Sequence, residues 1–127
     1  MTLPVFDYVK VGSLEEASKL AKEKGNKAVL MAGGTDVILL LHANAIPADT
    51  VIDIKEIPGL EEIRYVSGEG VYVGSLAKLY DIQNSDLVKE KMPALCDAAH
   101  YVASPQIRRK GTMAGNICNA SPSADTA

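Results

Sequence analysis

Apolar and polar positions change their period several times along this chain, and each change marks an element. Val5 to Val11 carries the β-formers Phe6, Tyr8 and Val9 and predicts a strand. Ser13-Leu14-Glu15-Glu16 then opens a helix, with Ser13 as cap and Glu16 completing a capping box. Leu14, Ala17, Leu20 and Ala21 recur at helical spacing, and Gly25-Asn26 stops the helix. Lys27 to Met31 predicts a second strand and Thr50 to Ile54 a third. Between them Thr35 to His42 is apolar almost throughout, which predicts a buried helix. Leu60 to Val66 and Val71 to Gly74 flank Ser67-Gly68-Glu69-Gly70, the pattern of a hairpin. Helical periods follow over Leu79–Asn84, Ser85–Lys91 and Pro93–Val102, the last with Pro93 at its first position. Ile117 to Ser121 predicts a short strand. Strand–helix alternation followed by strands and then helices gives an α+β domain.

The polar tail from Asn116 to Ala127 has backbone to pair and no later element to pair with. Three outcomes fit: a loose tail, a tail docked on another chain, or a chain that is part of something longer. Composition narrows the partners. The net charge of −3 gives no reason to expect nucleic acid or an anionic membrane. With no Trp and one Phe, no stacking platform for single strands is built. The longest apolar run, Val37 to Leu41, is far short of a membrane span, and the first residues lack a signal-peptide pattern. Two cysteines, Cys96 and Cys118, are too few for a disulfide framework or a four-thiolate cluster. The expected compartment is the cytoplasm.

Candidate chemistry concentrates in two glycine-bearing loops. In Val29-Leu30-Met31-Ala32-Gly33-Gly34-Thr35-Asp36-Val37-Ile38 a strand meets two glycines and a helix start, which offers bare N–H groups to an anion. Glycine also lets a ligand oxygen approach closely. Thr35 either caps the helix or donates to a phosphate, and Asp36 either caps or accepts from a ribose or ribityl hydroxyl. The plain alternative is a glycine turn with no ligand. Gly111-Thr112-Met113-Ala114-Gly115-Asn116 is the second loop. Arg108, Arg109 and Lys110 before it either offset a pyrophosphate or form a solvated patch. Ser121, Ser123 and Asp125 make a small polar cluster. His42 and His100 lack metal-ligand spacing. No catalytic constellation, Gly-x-Gly-x-x-Gly or P-loop occurs.

Taken together, Phe6-Asp7-Tyr8-Val9, Ala32 to Asp36, Val73-Gly74-Ser75-Leu76 and the run from Gln106-Ile107-Arg108 to Ala120-Ser121-Pro122-Ser123-Ala124-Asp125 resemble a known family. It is the FAD-binding (medium) subunit of the molybdenum hydroxylases, the xanthine, nicotinate and carbon monoxide dehydrogenase type. The likeness is to the N-terminal half of that subunit and spans essentially the whole chain. It implies a two-subdomain FAD-binding fold of the p-cresol methylhydroxylase type. On that footing residues 1–54 form the first α/β subdomain and residues 55–127 the start of the second.

The resemblance also implies roles. Leu30, Met31, Ala32, Gly33, Gly34, Thr35, Asp36 and Val37 would wrap the FAD pyrophosphate. Thr112, Met113, Ala114, Gly115 and Asn116 would form the second FAD loop, Asp125 would contact FAD, and Val102 would be an apolar flavin neighbour. Ala114 stands where the family has a glycine, and its methyl is tolerated only if φ is negative there. The implied function is that of an oxidoreductase subunit in a hetero-oligomer. Electrons would pass from [2Fe-2S] clusters on a small subunit, through FAD, to NAD(P)⁺ or another acceptor. A large subunit with molybdopterin would hydroxylate the substrate. A non-catalytic assembly module is the alternative. Neither catalytic nor metal-binding residues are expected in this chain.

Overall fold

A computed structural model describes residues 3–122 and 124–126. The chain divides between Pro58 and Gly59 into two compact units.

The first unit is built on a parallel sheet. Its strands are β1 (Asp7–Lys10), β2 (Ala28–Met31) and β3 (Thr50–Asp53), in the order β1-β3-β2. β3 is central, so Val51 faces Tyr8 on one side and Val29 on the other. Every residue of β3 is buried, as a strand covered on both faces must be. Helix α1 (Leu14–Lys24) packs on β2 and β3. Ser13 accepts the Glu16 N–H at 3.2 Å, as the cap predicts. The return arm of the box is displaced by one residue: Glu16 accepts from Gly12 N–H at 3.0 Å. A single 3₁₀ turn, Gly25–Lys27, leads into β2. On the other face, Leu41 of helix α2 (Val37–His42) joins Met31 and Val51 in the core, with Phe6 and Val37 packed against them.

The expected full burial of α2 is corrected. Leu41 is its buried residue, whereas Ile38 and Leu39 are exposed. A helix this short meets the sheet along one narrow stripe, and apolar composition cannot supply a second covering layer.

The second unit opens with an antiparallel hairpin, β4 (Ile63–Val66) and β5 (Gly70–Val73). Five helices follow: α3 (Leu79–Asn84), α4 (Asp86–Lys91), α5 (Pro93–Tyr101), α6 (Pro105–Arg108) and α7 (Met113–Asn119). Their core is Ala77, Leu79, Ile82, Val88, Ala99 and Val102, with Ile63, Val71 and Val73 of the hairpin against it. Gly74 explains the tight start of this unit. A Cβ there would lie 2.1 Å from Leu60 O, while Gly74 N–H bonds Glu62 O at 2.8 Å. Only a residue without a side chain lets these two backbones touch.

The strand expected over Ile117–Ser121 is also corrected. These residues fall in α7 and the turn after it, where Ala120 takes a left-handed φ of 53°. Thr112 caps α7 and propagates it through Asn119. The polar residues beyond it fold back, and Asn116 Oδ1 accepts from Thr126 Oγ1 at 2.6 Å.

Candidate functional site

The first glycine loop leaves β2 at the carboxyl end of a parallel sheet, the edge at which such sheets bind ligands. Gly34 is buried and has a φ of 75°, a conformation that residues with a Cβ avoid. A Cβ on it would meet Met31 Sδ at 3.1 Å and Ile38 Cδ1 at 3.6 Å. The chain therefore turns sharply between two core side chains. Gly34 O and Asp36 O accept from Ile38 and Leu40 N–H and start α2. Asp36 occupies the cap position without a side-chain cap bond, which leaves its carboxylate uncommitted.

One observation bears directly on a ligand. Among the described residues, the backbone N–H groups of Ala32, Gly33, Gly34, Thr35 and Asp36 meet no acceptor. A row of consecutive N–H groups with no carbonyl to serve needs water or an anion. Such a row is chemically suited to an anion. Of the other residues assigned to this loop, Met31 is buried in the core and Val37 packs against it. Leu30 turns to the opposite face of the sheet and lines an open groove with Leu14, Ala17 and Ala21 of α1. Its side chain does not belong to the loop surface.

A polar cluster stands beside this loop on the central strand. Asp53, 2% exposed, accepts from the Tyr8 hydroxyl, from Lys55 N–H at 2.9 Å and from Lys55 Nζ at 2.8 Å. Burial pushes the Asp53 carboxyl up, but the Lys55 ammonium, the Tyr8 hydroxyl and the Lys55 amide together hold it below the usual carboxylate range. Ile54, between Asp53 and Lys55, donates to Met31 O at 3.2 Å, where the loop departs. Sequence reading missed this cluster, because Asp53 ends a strand pattern and looks like any turn aspartate.

The second loop is a helix start. Thr112 is buried, and its Oγ1 accepts from Gly115 N–H at 3.0 Å. A Cβ on Gly115 would lie 2.8 Å from that oxygen, so a larger residue there would have to displace the hydroxyl slightly. Gly111 O takes the Leu79 N–H at 3.0 Å, and Lys78 bridges Thr112, which ties the loop to the start of α3. Met113 packs against the core. Ala114 lies in the first turn of α7 and outside the positive-φ residues, so its methyl is accommodated. Asn116 Oδ1 is engaged by Thr126, one residue from the exposed Asp125. Ser123 lies outside the described residues.

Two expectations change. Val102 is 7% exposed and part of the core, so most of its side chain is committed to packing. The three cations before the loop diverge. Arg108 is buried and bonds backbone carbonyls, Arg109 stacks over Tyr80 at 3.9 Å, and Lys110 is exposed. They do not form one phosphate patch.

The chain has relatives among known proteins. Residues 4–127 match the profile of the family described as FAD binding domain in molybdopterin dehydrogenase. The chain is 34% identical over 125 residues to the 6-hydroxypseudooxynicotine dehydrogenase complex subunit alpha of Paenarthrobacter nicotinovorans, covering 98% of this chain and 42% of the relative. It is 37% identical over 124 residues to the glyceraldehyde dehydrogenase medium chain of Sulfolobus acidocaldarius, covering 96% and 43%. The fold superposes on a chain of the carbon monoxide dehydrogenase from Hydrogenophaga pseudoflava with a TM-score of 0.94 at 33% identity, covering 99% of this chain and 44% of that one. The chain thus spans about two-fifths of the length of the relatives it matches.

Proposed function

The chain belongs to the family of FAD-binding domains in molybdopterin dehydrogenases, and we propose that its own part is to hold the FAD diphosphate on the first glycine loop. The observation that supports this most is the run of unserved N–H groups from Ala32 to Asp36. Backbone donors suit the task, since they are fixed by the turn and need no reorganisation when an anion arrives. Thr35 adds a hydroxyl, and Asp36 has a free carboxylate for a ribose or ribityl hydroxyl. Within the second unit, taken by itself, Thr112, Met113, Ala114, Gly115 and Asn116 form the start of α7 and are its candidate FAD loop, and Asp125 is exposed nearby in sequence. Leu30, Met31, Val37 and Val102 would serve from behind, through backbone and packing.

FAD, when bound, supplies the one- and two-electron chemistry, and the protein supplies placement and electrostatics. No side chain of this chain needs to move a proton for that role. The whole protein would be a subunit of a cytoplasmic molybdenum-containing oxidoreductase. Its partners would be a molybdopterin-binding large subunit and a [2Fe-2S] small subunit. Electrons would leave through FAD to NAD(P)⁺ or another acceptor. No described helix is long and apolar enough to cross a membrane.

The test is flavin content of the assembled complex containing this chain. FAD is expected in it, with absorbance near ~450 nm. A Gly34→Val substitution should strip the flavin while the subunits still assemble. A native complex without flavin would overturn the reading.

A further inference from the structure

Arg108 is set apart from the other described cations of the second unit by its burial. It is 6% exposed, and it joins none of the ion pairs found among the described residues. Its Nη1 donates to Val102 O at 3.0 Å and to Ala103 O at 3.1 Å. Its Nε is buried with no acceptor. A guanidinium taken out of water without a counter-ion is costly, and a hydrophobic residue would fill the same volume more cheaply. Something at this corner requires its donors.

The corner itself supplies the reason. Helix α5 ends at Tyr101, with Val102 as cap, and Ala103 takes a left-handed φ of 43° that a residue with a Cβ adopts only under constraint. Ser104 Oγ then accepts from Ile107 N–H at 3.3 Å and opens α6, whose last residue is Arg108. Beyond it, Lys110 and Gly111 N–H both return to Ile107 O, at 2.9 and 2.7 Å. Gly111 O receives the Leu79 N–H, and Thr112 begins the second glycine loop. From Ala103 to Thr112 the chain is one hydrogen-bonded corner, and the Arg108 side chain ties its end back to its beginning. A planar fork is suited to bridging two adjacent carbonyls. A lysine ammonium reaches them less rigidly, and a methionine not at all.

We propose that Arg108 is a positioning residue for the second FAD loop: by holding the carbonyls of Val102 and Ala103, it fixes the corner from which Gly111 and Thr112 present α7 to the cofactor. It acts through the loop and touches no ligand. The inference rests on the FAD reading given above, and it goes further by assigning the loop's placement to a buried side chain behind it.

The test compares Arg108→Met, Arg108→Lys and a core control, Val88→Ala, in the assembled complex. FAD affinity is measured by reconstituting the flavin-free complex, and amide exchange is followed in the flavin-free state. Arg108→Met should weaken FAD binding by about tenfold, since both carbonyl bonds that hold the corner are lost. It should speed exchange locally, from Ala103 to Asn116. Arg108→Lys should recover most of the affinity. Val88→Ala should lower the melting temperature with FAD affinity unchanged. If Arg108→Met melts earlier yet binds FAD within about twofold of the parent, the residue merely stabilises its unit and the inference is overturned. If Arg108→Met does not fold, Arg108→Gln, too short to hold both carbonyls yet still polar, decides. Weaker FAD binding at unchanged melting temperature supports the inference. Unchanged binding with faster exchange at the corner overturns it. Should Gly34→Val lose flavin while Arg108→Met keeps it, the FAD reading stands and only the positioning role falls.

Discussion

The two glycine loops share a sequence signal and almost nothing else. In the first, glycine is used for its backbone angle: Gly34 sits at a φ of 75°, and the N–H groups around it are left without acceptors. In the second, glycine lies inside the first turn of a capped helix. Gly115 stands where a Cβ would lie 2.8 Å from the Thr112 hydroxyl that caps α7. One loop keeps its donors open and the other spends a donor on holding its own shape. Their support differs as well. The first lies beside a buried carboxylate on the central strand, the second is fixed by a neutral hydroxyl and by backbone bonds to the start of α3. A Gly-Gly or Gly-x-x-x-Gly pattern therefore marks a place where backbone is exposed or closely approached. Which of the two it is depends on the neighbours.

That difference is open to test, and the largest effect is expected at Gly34. Gly34→Val forces a β-branched residue into left-handed backbone against Met31 and Ile38, at a cost of about 2–3 kcal/mol to the first unit. Thermal unfolding of the purified chain should show it. The second contrast is pH. Asp53→Asn should cost about 2 kcal/mol at neutral pH, since charge-assisted bonds from Lys55 and Tyr8 are lost. Because the folded carboxyl titrates below its usual range, the unfolded chain takes up the proton first as pH falls. The contribution is whole above about pH 5 and disappears as pH drops through the lowered folded value. The parent and Asp53→Asn should therefore converge in stability in acid. Divergence there would show that the carboxylate is not what holds that edge.

Smaller effects belong to the second loop. Thr112→Ala should cost about 1 kcal/mol through loss of the helix cap, and Thr112→Ser should recover most of it. Neither variant should alter the pH profile. The smallest expected change is Ala114→Gly, which should destabilise α7 by about 0.5–1 kcal/mol, because the site is helical. A stabilised Ala114→Gly protein would mean that the backbone there is not the helix described.

Much of this fold is legible in the sequence where local chemistry decides. Ser13 with Glu16, the Ser67–Gly70 turn and Pro93 at a helix start each name their element without help. Elements decided by neighbours are harder to read. Ile117–Ser121 is too short for a period to declare itself, and the helix is settled by the buried Thr112 cap several residues earlier. Helix α6 had a readable signal in Ser104-Pro105, a cap followed by proline at the first position, but its four residues are too few for an apolar stripe. The site divides in the same way. Both loops are visible as glycines, and the open N–H groups follow from the turn. Nothing in Arg108-Arg109-Lys110 says which cation is buried, since all three have the same charge and the choice is made by the carbonyls of the preceding corner. Val102 illustrates the reverse, an apolar residue assigned to a ligand by position and claimed by the core.

The strand order of the first unit has a consequence for biosynthesis. β1 and β2 never pair with each other; each pairs only with β3, the last of the three to be made. A nascent chain emerging from the ribosome therefore holds two apolar segments with unsatisfied edges until Thr50–Asp53 is clear of the exit tunnel. No pair of these strands can form before the final one is made, so sheet pairing is a step that waits for it. The same step brings Ile54 beside Met31 and sets the first glycine loop, so on this route the loop for the cofactor and the sheet that supports it come into being together.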